Sequence, residues 1–498
     1  MSAPSYDYLV IGGGTAGAIT AARLAEAHHR VALFEAGPSD VGNPRILELI
    51  RWPDLLESEY DFDYRIEPQP RGNGRIRHAR AKVLGGCSSH NSCIAFLAPA
   101  YDMEVWEAAG AAGWGPQEVA PFFRKVRQKV NFESGDSGNA LAEAVLAAAE
   151  QAGLPRLTFN QDGIQRAGAG WFDINKRGIL RDSSSVAYLH PLSQWGTTLT
   201  FYLNQYITRI LIENGRAVGV QTAEGPVYAE REVIVACGAF DSPKLLLNSG
   251  IGPADHLRSV GVPVVHDLPG VGEHLLDHPE GVVNWELSRP MPPEAINFWE
   301  VGIFDMTAPG LPAPDLMMHL GVVVFDMQTK PAGYPTAQCG FALTPNVTRA
   351  KSEGSVRLRS SDPGAPPLID FRYFTDPEGH DERVMVTGVK RAREIAAQPA
   401  LSDWVQRELS PGIKVQDDAD ISAYVRSTAN TVYHPAGTCK MGAASDSLAV
   451  VDPQLRVRGI QGLRVADASI FPTMIGVNPN ITVMMVGERC ADFCLELQ

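Results

Sequence analysis

The stretch from Tyr8 to Glu35 constrains this chain more than any other. Tyr8-Leu-Val-Ile11 is a short apolar, β-branched run that reads as a buried parallel strand. It leads straight into Gly12-Gly-Gly-Thr-Ala-Gly17, whose glycines at 12, 14 and 17 fit G-x-G-x-x-G. Ala16 to His28 is alanine-rich and reads as a helix. Arg30-Val-Ala-Leu-Phe34 reads as a second strand, with Glu35 at its end. Gly12 permits the tight turn, Gly14 lets the backbone approach a pyrophosphate, and Gly17 lets helix and strand pack closely. The helix N-terminus adds unpaired N–H groups and a positive dipole end. Glu35 stands where a carboxylate can accept from ribose hydroxyls, which favours FAD or NAD over NADP.

Three further segments carry the same chemistry. Ala81-Lys-Val-Leu-Gly-Gly-Cys-Ser-Ser-His-Asn-Ser-Cys-Ile-Ala-Phe96 combines Gly85 and Gly86 with small or hydrogen-bonding residues. Such a loop can lie flat on a polar ligand and donate backbone N–H groups. Ala236 to Gly252 follows Glu232-Val-Ile-Val235, another buried strand. Gly462-Leu-Arg-Val-Ala-Asp467 is followed by Val477-Asn-Pro-Asn-Ile-Thr482 at the start of an apolar helix. A simple nicotinamide dehydrogenase would use one half of the chain for its cofactor. Segments at both ends and in the middle suit an extended flavin dinucleotide wrapped by a discontinuous domain.

Composition removes other classes. With 43 Lys+Arg against 57 Asp+Glu the formal charge is −14, and no basic run occurs, which argues against nucleic acid. An apolar fraction of 45% is enough for a folded core. No stretch approaches the roughly 20 apolar residues of a membrane span. The start, Met-Ser-Ala-Pro-Ser-Tyr-Asp, shows no secretory pattern. The seven cysteines are scattered without a C-x-x-C pair, which fits no metal centre, no disulfide framework and a reducing cytoplasm.

The Ala81–Phe96 and Gly238–Gly252 segments resemble both signatures of the glucose–methanol–choline (GMC) oxidoreductase family, and the likeness is strongest to its choline oxidases. It runs almost end to end, through Tyr60-Asp-Phe-Asp-Tyr64, Asp277-His-Pro-Glu280, Pro314-Asp-Leu-Met-Met-His319, Asn430-Thr-Val-Tyr-His434 and Val477-Asn-Pro-Asn480. The resemblance implies an α/β fold: a Rossmann-like FAD-binding domain (1–135, 186–279 and 430–498) interleaved with an α+β substrate domain on an antiparallel sheet (136–185 and 280–429). Ser355–Ser360 is expected to be a strand of that sheet, which would roof the flavin ring.

It also implies the site. FAD would be held by Gly12, Gly14, Thr15, Ala16, Gly17, Glu35, Ala36, Gly85, Gly86, Ser89, His90, Asn91, Ser92, Ile94, Ile207, Ala236, Asp467, Ala468, Asn478, Pro479 and Thr482. His90 would bond covalently to the flavin 8α-methyl, an electrophile suited to imidazole. His434 and Asn478 would face the flavin N5, His434 taking the hydroxyl proton and Asn478 orienting the substrate oxygen. His319, at the end of an apolar run, would help to hold that oxygen. Trp52, Trp299, Tyr433 and Glu280 would cage a quaternary ammonium, since ring faces and a poorly screened carboxylate both attract such a cation. Ser92 would touch the pocket, and Val432 would lie where oxygen reacts.

The expected activity is oxidation of a cationic primary alcohol, choline or a choline-like amino-alcohol, to the aldehyde or onward to the acid, with O2 or another electron acceptor. A homodimer is compatible with the family. The chain looks shortened within Val130–Gly153, and Arg71 and Arg75 sit in the segment expected to cover the site. A wider entrance would admit an aminoglycoside, so that substrate class remains an alternative. A non-redox hydroxynitrile lyase and an FAD-containing nicotinamide reductase are the readings from other classes.

Overall fold

A computed structural model describes residues 3–192 and 198–496. Its first sheet runs Leu199–Tyr202, Val31–Phe34, Ser5–Ile11, Gly225–Val235, Arg216–Thr222, Arg209–Glu213, with Leu463–Val465 also paired to Gly225–Val235. The Ser5–Ile11, Val31–Phe34, Leu199–Tyr202, Gly225–Val235 and Leu463–Val465 pairings are parallel. Ile11 aligns with both Phe34 and Val235, so neighbouring strands end level. Gly12, Glu35, Ala236 and Ala466-Asp467 therefore leave the sheet along one edge, outside the carboxyl ends of the strands. That is where ligands bind in open α/β sheets.

The expected elements form, with small shifts at their ends. The alanine-rich helix is Thr15–Glu26, and its small residues let it pack tightly on the C-terminal helix Asn480–Leu495. A Cβ on Gly487 would come within 2.7 Å of the Ala16 carbonyl oxygen. Thr20 Oγ1 donates to the Gly487 carbonyl at 3.1 Å, and Arg23 pairs with the buried Glu488. This contact brings the segment before the last helix beside the glycine turn, where Thr15 Oγ1 donates to Asn480 Oδ1.

A second sheet is antiparallel throughout. Its order is Val405–Ser410, Val283–Leu287, Gly340–Val347, Leu316–Gly321, Trp299–Asp305, Gly168–Trp171. The short strand Pro279–Glu280 pairs with both Gly340–Val347 and Asn430–Thr431. Side chains alternate along Leu316–Gly321. Met318 and Leu320 pack into a core that includes Val384 and Met385 of the helix His380–Ala396, so His319 points to the other face, toward the first sheet.

Ser355–Ser360 departs from expectation. Only Ser355–Arg357 is extended, and it forms a separate ladder with Leu368–Asp370 rather than joining the second sheet. Alternation reveals a strand but not its partner. No helix among the described residues is long and apolar enough to cross a membrane.

Candidate active site

One cavity of about 490 Å³ lies between the two sheets. At its nucleotide end the glycine turn is tightly determined. Gly12 has φ +98°, and a Cβ there would lie 2.4 Å from the Ala236 carbonyl oxygen. A Cβ on Gly17 would lie 2.0 Å from the Gly12 carbonyl oxygen. Around Gly14, by contrast, nothing comes closer than 3.8 Å, which leaves the backbone open to a ligand. Glu35 is buried and pushed up to about 7 by that burial, while the Gly37 and Gly13 amides donate one to each carboxyl oxygen. Each oxygen keeps acceptor capacity for a ribose hydroxyl.

Gly12, Gly14, Thr15, Ala16, Glu35, Ala36, Ile207, Ala236, Asp467 and Ala468 line the cavity, as do Gly86, His90, Asn91, Ser92 and Ile94. Asn478 and Pro479 lie at the same wall. Four expected cofactor residues do not line the cavity: Gly17, Gly85, Ser89 and Thr482. Gly17 acts behind the wall, by letting the turn close. Gly85 takes φ +87° to shape the loop. Ser89 and Thr482 are buried, with hydroxyls that find no protein partner. Asn480 Nδ2 is likewise unpartnered. Open glycine backbone, a helix N-terminus and buried unpaired donors fit a dinucleotide such as FAD.

His90 is buried, and burial, then Arg181, lowers its pKa to about 3. Its Nε2 contacts the Leu55 carbonyl at 3.2 Å. The ring is therefore neutral and always retains one nitrogen lone pair.

At the far end the expected substrate residues Trp52, Glu280, Trp299, Tyr433, Ser92 and Val432 line the same cavity as His319, His434 and Asn478. Trp52 Nε1 donates to the Asn297 carbonyl at 2.9 Å, which fixes the indole. Trp299 meets Phe325 edge to face at 5.1 Å. Glu280 is buried and its carboxyl accepts from the Asn430 amide at 3.4 Å; burial first, with the nearby Asp277 carboxyl adding to it, raises its pKa to about 8. His319 Nε2 and Asn478 Oδ1 are buried without partners. Unpaired polar atoms in such a place call for a polar ligand.

A residue missed in the sequence sets the state of His434. His278 Nε2 faces two carbonyl oxygens, Thr348 at 3.1 Å and Ile475 at 3.0 Å, so it must carry the proton. Burial keeps His278 neutral by pushing its pKa down to about 4. Its Nδ1, 2.9 Å from His434 Nδ1, is then an acceptor. His434 donates there from Nδ1 and keeps a lone pair on Nε2, 3.4 Å from Asn478 Nδ2. Burial first, then His278, His319, Arg80 and His78, holds His434 well below the usual histidine range. Asp277, also missed, accepts from Thr431 Oγ1 at 2.6 Å and from the His434 N–H at 3.0 Å.

The segments flagged as altering the entrance are absent from the cavity lining. Arg71 pairs with Glu382, and Arg75 donates to the Ser427 carbonyl. Neither arginine nor any residue of 130–153 lines the cavity. No cluster of three or more metal-ligating side chains occurs among the described residues.

Two family models, both described as GMC oxidoreductase, match residues 6–280 and 350–487. The chain is 52% identical over 519 residues to choline oxidase of Arthrobacter globiformis, covering 99% of this chain and 94% of that protein. It is 37% identical to mitochondrial choline dehydrogenase of Homo sapiens, covering 99% and 90%. Among solved structures, pyridoxine 4-oxidase from Mesorbium loti superposes with a TM-score of 0.90 at 28% identity, covering 98% of each chain.

Proposed function

The chain belongs to the GMC oxidoreductase family, and from that premise we propose that it is an FAD-dependent oxidase of choline or a choline-like cationic primary alcohol. One observation carries the reading. An imidazole nitrogen with a free lone pair, an unpartnered histidine nitrogen and asparagine oxygen, and a buried carboxyl among aromatic rings share one cavity with the nucleotide turn. When bound, FAD supplies the hydride acceptor.

The rest belongs to the chain. Trp52, Trp299 and Tyr433 offer ring faces to the ammonium group, and Glu280 offers the opposing charge. His319 Nδ1 lies 3.4 Å from Asn346 Nδ2 and is assigned as the acceptor, which puts a proton on the unpartnered Nε2. That N–H can donate to the alcohol oxygen, and the Asn478 amide can orient it. His434 Nε2 takes the hydroxyl proton, because its other nitrogen is committed to His278. The apolar Val323, Phe325 and Met327 add to the wall and help to exclude water.

Finer assignments extend the proposal. His90 is the point of covalent flavin attachment. O2 is the acceptor, reacting beside Val432, as befits kinship with an oxidase. The pieces 1–135, 186–279 and 430–498 form the cofactor domain, with 136–185 and 280–429 the substrate domain. All seven cysteines are free, which supports a reducing compartment, the cytoplasm. The oxidases and dehydrogenases compared above do not favour the lyase or reductase readings, and Arg71 and Arg75, expected in the cover of the site, do not line the cavity.

Initial rates of aldehyde formation in air, with choline, its neutral carbon isostere and an aminoglycoside, test the reading. Choline is expected to lead by at least about tenfold in kcat/KM. Preference for the neutral isostere or the aminoglycoside would overturn it.

A further inference from the structure

Tyr433, immediately before the base, has a left-handed backbone at φ +63°. A bulky residue reaches that region only when its surroundings impose it. Three polar contacts impose it here. The Tyr433 N–H donates to Thr431 Oγ1 at 2.7 Å. The following N–H, of His434, donates to Asp277 Oδ1 at 3.0 Å. The Tyr433 carbonyl accepts from Arg80 Nη2 at 2.6 Å. The first two converge on Asp277, because Thr431 Oγ1 itself donates to Asp277 Oδ2. The third comes from Arg80, remote from both in the chain.

Arg80 is well placed to hold still. Its own N–H donates to Asp61 Oδ1 at 2.9 Å, and its carbonyl accepts from the Phe62 N–H at 2.8 Å. Its Nε also contacts the Ala79 carbonyl. The same Asp61 carboxyl lies 4.0 Å from His90 Nε2, so the loop that carries Arg80 runs beside the one that carries His90. Arg80 lines the cavity and is half-buried.

Resting on the reading of His434 as the base, we infer that Arg80 is a positioning residue of the alcohol oxidation. Its guanidinium holds the strained Tyr433 carbonyl, and so fixes both the His434 imidazole and the Tyr433 ring against the substrate. A fixed charge follows from the same placement. The groups around His434 are His278, His319, His78, the Asp277 carboxyl and Arg80. The three imidazoles are neutral, so Arg80 is the cation of this set, and it opposes a second positive charge on His434.

The test uses the flavin-loaded Arg80→Met and Arg80→Lys enzymes beside the parent. Arg80→Met is expected to slow anaerobic flavin reduction by choline by roughly tenfold or more, through misplacement of the base. The acid limb of its kcat/KM profile should move up by about half a unit to one unit, because the opposing charge is gone. Arg80→Lys keeps the charge without the fork, so the profile should stay and the rate fall several-fold. A merely structural tie would not move the profile. Wild-type rate and profile in Arg80→Met would overturn the inference. Should that variant fail to fold, a wild-type reduction rate in Arg80→Lys would overturn it instead. His434→Ala is measured in parallel: near-normal reduction there would sink the base assignment itself, a separate failure.

Discussion

Replacing Glu280 with glutamine removes the carboxyl of the proposed cage while keeping its shape. The carboxyl is buried and its hydrogen bond is to the neutral Asn430 amide, so a bound ammonium would face a poorly screened charge. At an effective dielectric of about 20 and a separation of ~5 Å, that attraction is ~3 kcal/mol, or roughly 10²-fold in binding. Part of it is offset beforehand. Burial lifts the Glu280 pKa to about 8, so at pH 7 the site holds a proton, and ionising it costs ~1.4 kcal/mol. The sign follows directly. The cation binds the ionised form, so affinity climbs about tenfold as pH rises from 7 through 8 and then levels off. Calorimetric titration of the holoenzyme with tetramethylammonium, which has no hydroxyl to oxidise, reads this without turnover. Glu280→Gln should bind weakly and show no such rise. Its kcat/KM for choline should drop roughly 10²-fold at high pH and about tenfold at pH 7, with the neutral isostere little changed. Equal losses for both alcohols, or a pH-independent affinity in the parent enzyme, would refute the reasoning.

Other expectations rest on single residues. His434→Ala should lower turnover by at least ~10²-fold, read by steady-state kinetics in air. Gly17→Val places branched carbon where even a Cβ would lie 2.0 Å from the Gly12 carbonyl oxygen; the purified protein should carry little flavin by absorbance. Acid precipitation of the parent enzyme should leave yellow in the pellet, whereas His90→Asn should release it to the supernatant. Yellow supernatant from the parent would remove the covalent link.

The nucleotide end was legible because its demands are local. A turn at φ +98° and two backbones in contact leave glycine little competition, so Gly12 and Gly17 announce themselves. The level strand ends then carry Glu35, Ala236 and Asp467 to one edge. His278 was not legible. Its partnership with His434 depends on Pro279–Glu280 pairing with Asn430–Thr431, a contact between segments distant in the chain. Arg80 was hidden for the same reason, since its partner is a backbone carbonyl rather than a side chain. Ser355–Ser360 shows the converse limit: its alternation signalled extension, but the pairing with Leu368–Asp370 followed from tertiary packing.

In the proposed reaction a cationic alcohol delivers its electrons to FAD in this cavity. Anaerobic titration of the holoenzyme with choline, followed by flavin absorbance, tests it most directly. Bleaching of the flavin with formation of the aldehyde is expected, with far slower bleaching by the neutral isostere. A flavin spectrum left unchanged by choline and by other cationic primary alcohols would contradict it.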